Sequence, residues 1–165
     1  MPEVLLFIPK PEQSARSNLK DFIEMCRDRL VVFGENLDWH SNTWPKVGNF
    51  TVKGAPSRGY TEEQYLSQEF LPFAKAYVRY QQGLKPSKLI KEFQVIRCIE
   101  PALLAVKGRA DITLVDTTVM DLAAQFARDH YSSAYLAGSG LAKLAEFLND
   151  SKIAIKHIEW RNCCR

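Results

Sequence analysis

The apolar positions of this chain recur at different spacings before and after about residue 60. Residues 4–8, VLLFI, form a short apolar run closed by Pro9, which predicts a strand. Leu19, Phe22, Ile23, Cys26 and Leu30 then fall at i, i+3, i+4, i+7 and i+11. That spacing is one stripe of a helix over residues 14–30, with Ser14 or Ser17 placed to cap it. Residues 30–33, LVVF, are β-branched and aromatic and stop at Gly34, which predicts a second strand. Residues 36–54 are rich in Asn, Ser, Gly and Pro, with a short strand candidate at 50–52. The turn-rich stretch 54–59, GAPSRG, predicts a linker and a domain boundary.

From Thr61 the pattern is helical. Thr61 and Gln64 stand at capping-box spacing, and helix-compatible residues continue to about Gln82. Pro72 must start a new helix or kink this one, and Gly83 is a natural stop. After a tight connector at 84–87, a second helix is predicted from Pro86 or Ser87 to Val106. It buries Leu89, Phe93, Ile96 and Ile99 or Leu103, with Pro101 inside it and Gly108 ending it. Residues 113–116 open a third, with Asp116 or Thr117 as cap, which buries Val119, Leu122, Ala123 and Phe126. A fourth follows His130, capped by Ser132 or Ser133, with Ala137, Leu141, Leu144 and Leu148 in one stripe. Gly138 and Gly140 each cost such a helix ~1 kcal/mol relative to Ala. Either they permit a close helix crossing or the helix begins only at Gly140. Residues 153–160 alternate and predict an extended tail. The expected fold is mixed: a small α/β N-terminal unit over 1–60, then a mainly α four-helix bundle over 61–165 with short antiparallel connections.

Apolar residues make up 46% of the chain and charged residues 25%, so its 165 residues can bury a core without staples. No run of 18 apolar residues is present, and residues 4–8 lack a basic leader, so a cytoplasmic protein is expected. Cys26, Cys98, Cys163 and Cys164 form no C-x-x-C pair, which argues for thiols and against a zinc site. The net charge of +3 says little, but its distribution is uneven. Residues 75–109 hold Lys75, Arg79, Lys85, Lys88, Lys91, Arg97, Lys107 and Arg109 against only Glu92 and Glu100. Residues 110–129 reverse this, with Asp111, Asp116, Asp121 and Asp129 against Arg128. Such segregation fits a one-sided footprint for a polyanion, and it also fits a solvated helix surface.

The helical half resembles the core-binding, SAM-like domain of tyrosine recombinases, the phage-type integrases. Residues 73–87, FAKAYVRYQQGLKPS, resemble the first helix of that domain and its Gly-Leu-x-Pro-Ser/Thr exit. Residues 96–104, IRCIEPALL, are similar to the second helix. Residues 130–138, HYSSAYLAG, with 141–148, LAKLAEFL, are similar to the fourth. Residues 21–30, DFIEMCRDRL, resemble the N-terminal part of a genomic-island subgroup. The resemblance implies DNA integration and recombination by a mobile element, with double-stranded DNA as partner, a homo-oligomer on that DNA, and no cofactor, metal or small-molecule substrate. The family's chemistry uses an Arg, a His-x-x-Arg and a nucleophilic Tyr in a later domain. His157 and Arg161 are four apart and do not match it, so no strand cleavage by this chain alone is expected.

DNA binding needs cations that displace phosphate counterions and polar groups held in a groove. Lys85, Lys88 and Lys91 recur every three residues at the entry of the second helix, and Ser87 adds a hydroxyl near its N-terminus. Lys75 and Arg79 are i, i+4 and share a face of the preceding helix. Tyr131, Ser132, Ser133 and Tyr135 sit at the entry of the fourth. In the resembled family the second and fourth helices face DNA, and that role is carried to these ten residues; one of the two tyrosines is expected in the core. Base reading has few candidates: Gln81, Gln82, Gln94 and Arg97. The alternative is an assembly module without DNA affinity of its own. An enzyme is not supported: GSGLAK at 138–143 lacks the strand and spacing of a phosphate loop, and His40 has no ligand partner nearby. Glu62, Glu63, Asp111 and Asp116 read as helix caps.

Overall fold

The computed structural model describes residues 6–31, 37–44, 47–51, 65–84, 89–131 and 134–161. Among them are five α-helices and one antiparallel two-stranded sheet. Helix α1 spans Ala15–Arg29; its N-cap Ser14 accepts from Ser17 N–H, and Arg27 and Arg29 complement the dipole at its last turn. Strands β1, Thr43–Trp44, and β2, Gly48–Asn49, form the sheet, with Trp44 opposite Gly48. Helix α2 spans Leu71–Leu84, α3 Ile90–Lys107, α4 Thr117–His130 and α5 Ala134–Asp150.

Helix α2 sets the arrangement. Pro72 falls in its first turn, where a missing N–H costs nothing. Residues 73–82 are all buried, so the helix is enclosed on every side. Phe73, Tyr77 and Tyr80 meet Phe22 of α1 and Phe147 of α5 in one aromatic cluster, with ring centroids 5.0–6.1 Å apart. Helices α3, α4 and α5 pack on one another beside it. The predicted stripe of α3 is confirmed: Leu89, Phe93, Ile96, Ile99 and Leu103 are all buried. Gly108 ends α3 in the left-handed conformation at φ 76°, and its N–H reaches Leu104 O. Asp111 caps a 3-10 turn, Ile112–Leu114, and Asp116 caps α4, accepting from Val119 N–H.

Several expectations are corrected. Leu6, Phe7 and Ile8 form no strand; Leu6 and Ile8 are exposed, and only Phe7 turns inward, its N–H donating to Tyr80 Oη at 3.1 Å. Leu30 and Val31 leave α1 as irregular chain; residues 32–36 lie outside the described residues. Of the strand candidate at 50–52, Thr51 forms one bridge to Tyr65 and Val52 lies outside the described residues, while the paired strands fall earlier. The Thr61 capping box, the 54–59 linker and residues 85–87 of the 84–87 connector lie outside the described residues. Gly83 does not stop α2, which runs to Leu84. The tail over 153–160 is irregular chain, with Ile153 and Ile158 buried and Ile155 exposed, and the Ile155 N–H donates to Thr113 O. The Asn149 amide both donates to and accepts from Ile158, fixing the tail on α5.

Among the described residues before 60, Phe22, Cys26, Trp44 and Phe50 belong to the same buried cluster as the helices. Phe22 sits against Phe73, and Phe50 bridges Trp44 and Phe93. Gly48 is needed there: a Cβ on it would stand 2.6 Å from the Phe93 ring.

Gly140 resolves the choice posed by the two glycines. Helix α5 runs straight through it, and a Cβ there would stand 2.6 Å from Val95 Cγ2 and 3.0 Å from Lys91 Cγ on α3. The glycine lets the two helices cross at close range. Gly140→Val is therefore expected to cost about 1–3 kcal/mol through overpacking. Urea denaturation checks this: a midpoint lowered at unchanged slope is expected, and an unchanged midpoint contradicts the crossing.

Candidate nucleic-acid interface

The basic run of residues 75–109 does not form one exposed stripe. Arg79 is 1% exposed, with its guanidinium between the Trp39 and Trp44 rings, 5.1 Å from each centroid. Its Nη1 donates to the carbonyls of Cys26, Arg27 and Leu30 at 3.4, 3.2 and 2.8 Å, and Nη2 to Leu37 O at 2.7 Å. Those are the last carbonyls of α1 and the loop beyond it, which have no helical partner of their own. Burial lowers the Arg79 pKa from its ordinary value, and the four carbonyls supply acceptors for the two terminal nitrogens, while Nε is buried without a partner among the described residues. Assigning Arg79 to DNA is thus corrected: an enclosed helix leaves its polar side chains facing the core, and this one is a cap.

Lys75, one turn earlier, is likewise corrected. It is 5% exposed, and its Nζ donates to Trp39 O at 2.8 Å and stands 5.8 Å from the Phe50 ring centroid. Burial pulls its pKa down to about 8, partly offset by the charge of Asp38 and reinforced by that of Arg79.

Arg97, Lys107 and Arg109 are also engaged. Arg97 donates to Asn49 O and Thr51 O and covers the Phe93 ring, so it fastens the β2 strand to α3. Lys107 pairs with Asp116, and Arg109 with Glu69. The base-reading candidates Gln81 and Gln82 are buried on α2.

Lys91 is different. It is half-buried on the first turn of α3, with its stem against Gly140, and no ion pair of its ammonium forms among the described residues. Tyr131 does not open the fourth helix: it is the C-cap of α4, its N–H bonded to Ala127 O. It is half-buried, and burial raises its hydroxyl pKa with a smaller push from Cys98, which packs it beside the core. Lys85, Ser87, Lys88, Ser132 and Ser133 lie outside the described residues. Tyr135 is on the first turn of α5, with its side chain outside the described atoms.

What the fold does bring together is the entry of α3 and the N-terminal half of α5. Gly140 lies six residues into α5, about 9 Å along its axis from the first turn, and Lys91 is the second residue of α3. Two helix N-termini, each with orphan N–H groups, therefore lie near one crossing.

Other chemistry finds little support. Residues 138–143 are helical, so no phosphate loop forms there. Asp111 and Asp116 are caps, as expected. Burial pushes the Asp111 carboxyl up, but hydrogen bonds from Thr113 and Arg16 outweigh it and hold the pKa below the ordinary value. Cys26 and Cys98 are buried thiols, neither in a disulfide, and burial pushes the Cys26 thiol up. No group of three His, Cys, Asp or Glu able to hold a metal occurs among the described residues. No helix among them is long and apolar enough to cross a membrane. Comparison with protein-family models, curated proteins and solved structures gave no match.

Two outcomes follow for the buried cations. Arg79→Met removes the donors to four carbonyls and is expected to cost more than about 3 kcal/mol, well beyond the cost of a typical surface substitution. A chemical-denaturation midpoint within error of wild type contradicts the capping role. Lys75 holds its proton less tightly folded, to about 8, than unfolded near 10.5. Between those values the unfolded chain binds more protons, so stability rises with pH there. The difference in melting temperature between wild type and Lys75→Met is expected to shift in favour of wild type from pH 8 to 10.5; a flat difference contradicts the burial.

Proposed function

We propose that the chain is a non-catalytic DNA-binding module of a tyrosine-recombinase integrase, with its helical half corresponding to the SAM-like core-binding domain and the duplex held across the α3–α5 crossing. The observation that carries this reading is the seating of Gly140 on Lys91 and Val95. It joins the two helices that the resemblance implies for DNA and leaves an ammonium at their junction. Lys85 and Lys88 precede Lys91 at intervals of three in sequence, so the reading gives the α3 entry up to three cations. It gives none to Lys75 or Arg79, which are occupied inside.

The contacts in this reading are to phosphates. Affinity then comes from counterion release and falls steeply with salt, while sequence preference stays modest because Gln81 and Gln82 are buried and Arg97 is bonded to the hairpin carbonyls, which leaves Gln94 on α3. The role is to hold and orient DNA, with strand cleavage assigned to no residue of this chain.

Fluorescence anisotropy with a labelled duplex between 50 and 200 mM salt tests it. Binding that weakens with salt is expected, with the log–log slope reduced by about one for Lys91→Glu and further for Lys85, Lys88 and Lys91 all changed to Glu. Affinity and slope unchanged in the triple variant overturn the site. No duplex affinity, together with a stable oligomer by sedimentation, replaces the reading with an assembly module.

A further inference from the structure

The geometry points to the cleft beside the first turn of α2 as a binding site for a small oxyanion, a free phosphate or carboxylate, held by the Lys75 ammonium. The cleft has a volume of about 210 Å³ and is lined by Trp39, His40, Asn42, Gln68, the first two residues of α2 and Lys75. That is many times the space one ordered water needs. This inference stands apart from the DNA reading, which makes no use of the cleft, and it departs from the expectation that the chain takes no small molecule.

Three observations carry it. Lys75 is the lysine of the cleft, and no aspartate or glutamate is among the lining residues. Among the described residues its ammonium forms no ion pair within 4.0 Å; its hydrogen bond goes to a neutral carbonyl, Trp39 O. An ammonium has three N–H groups, so two remain for a ligand. A buried charge without a counterion is costly, and an anion from solution offsets that cost where the cleft opens to it. The charged groups facing Lys75 strengthen the case. Asp38 acts only at longer range, while Arg79 on the same helix adds positive charge to the region. The α2 N-terminus contributes further positive potential at the cleft's edge.

Burial is the main cause of the depressed affinity of Lys75 for its proton. An oxyanion bound there favours the charged amine, so binding takes up a proton when the pH is near or above 8. His40 lines the same cleft, and pairing each measurement with Lys75→Met separates its contribution.

Tryptophan emission and melting temperature read the site, since Trp39 forms part of the wall. Sodium phosphate and sodium acetate are titrated at pH 7.5 against sodium chloride at equal ionic strength. A saturable emission change and a raised melting temperature beyond chloride are expected in wild type and absent in Lys75→Met. No saturable change with either anion, or the same change in Lys75→Met, overturns the inference. Should that variant fail to fold by circular dichroism, wild type is titrated with acetate, whose charge is constant, at pH 7.5 and 9.5. An affinity lower by about tenfold or more at pH 9.5 is expected from loss of the lysine proton, and an equal affinity overturns the inference. Duplex affinity should be the same in wild type and a folded Lys75→Met; its loss would mean that the cleft serves backbone phosphate and would overturn assignment to a small free anion. Anion binding without duplex affinity would overturn the DNA reading alone.

Discussion

One buried cation organises this molecule. The Arg79 guanidinium collects the last carbonyls of α1 and the carbonyl of Leu37, and two tryptophans cover its faces. A helix end buried without partners is costly, and so is a buried charge. Here the two terminal nitrogens of the guanidinium donate to those carbonyls, so each offsets most of the other's cost. Because Arg79 stands in the middle of α2, the clamp fixes α1 and the following loop to the central helix. The aromatic cluster around Phe22 then closes over that junction, and the β1–β2 hairpin packs through Trp44 and Phe50 onto α3.

The same constraint explains why the cations of residues 75–109 do not make a simple electrostatic surface. Burying α2 takes Lys75 and Arg79 inside, and Arg97 is drawn to the hairpin carbonyls. Lys107 and Arg109 neutralise Asp116 and Glu69. Among the described residues of the run, Lys91 is partly exposed and forms no ion pair, and it stands where α3 meets α5. The proposed DNA contact is thereby narrowed to the α3 entry.

Much of the helical architecture was legible because it is written in periodicity and caps. The α1 stripe with Ser14, the α3 stripe from Leu89 to Leu103, the Gly108 stop and the Asp116 cap all act locally. The strand readings at residues 6–8 and 30–31 were not upheld, since short apolar runs do not say what they pack on. Lys75 and Arg79 were misread for a related reason. Spacing placed them on one face, but whether that face meets solvent depends on α1, the Trp39 loop and the hairpin all covering α2. Two tryptophans flanking a loop His offered a faint hint of an aromatic seat for a cation, without naming its occupant. The 1–60 boundary was read from turn residues at 54–59, whereas packing joins the two parts through Phe22, Trp44 and Arg79.

The central claim is that the α1 region and the helical bundle are one cooperative unit tied at Arg79. Native-state hydrogen exchange of backbone amides tests it most directly. The account predicts that the interior amides of α1 and those of α2 and α3 exchange with the same, global opening free energy. Exchange of α1 through a separate opening of much lower free energy, with α2 and α3 still protected, would contradict it.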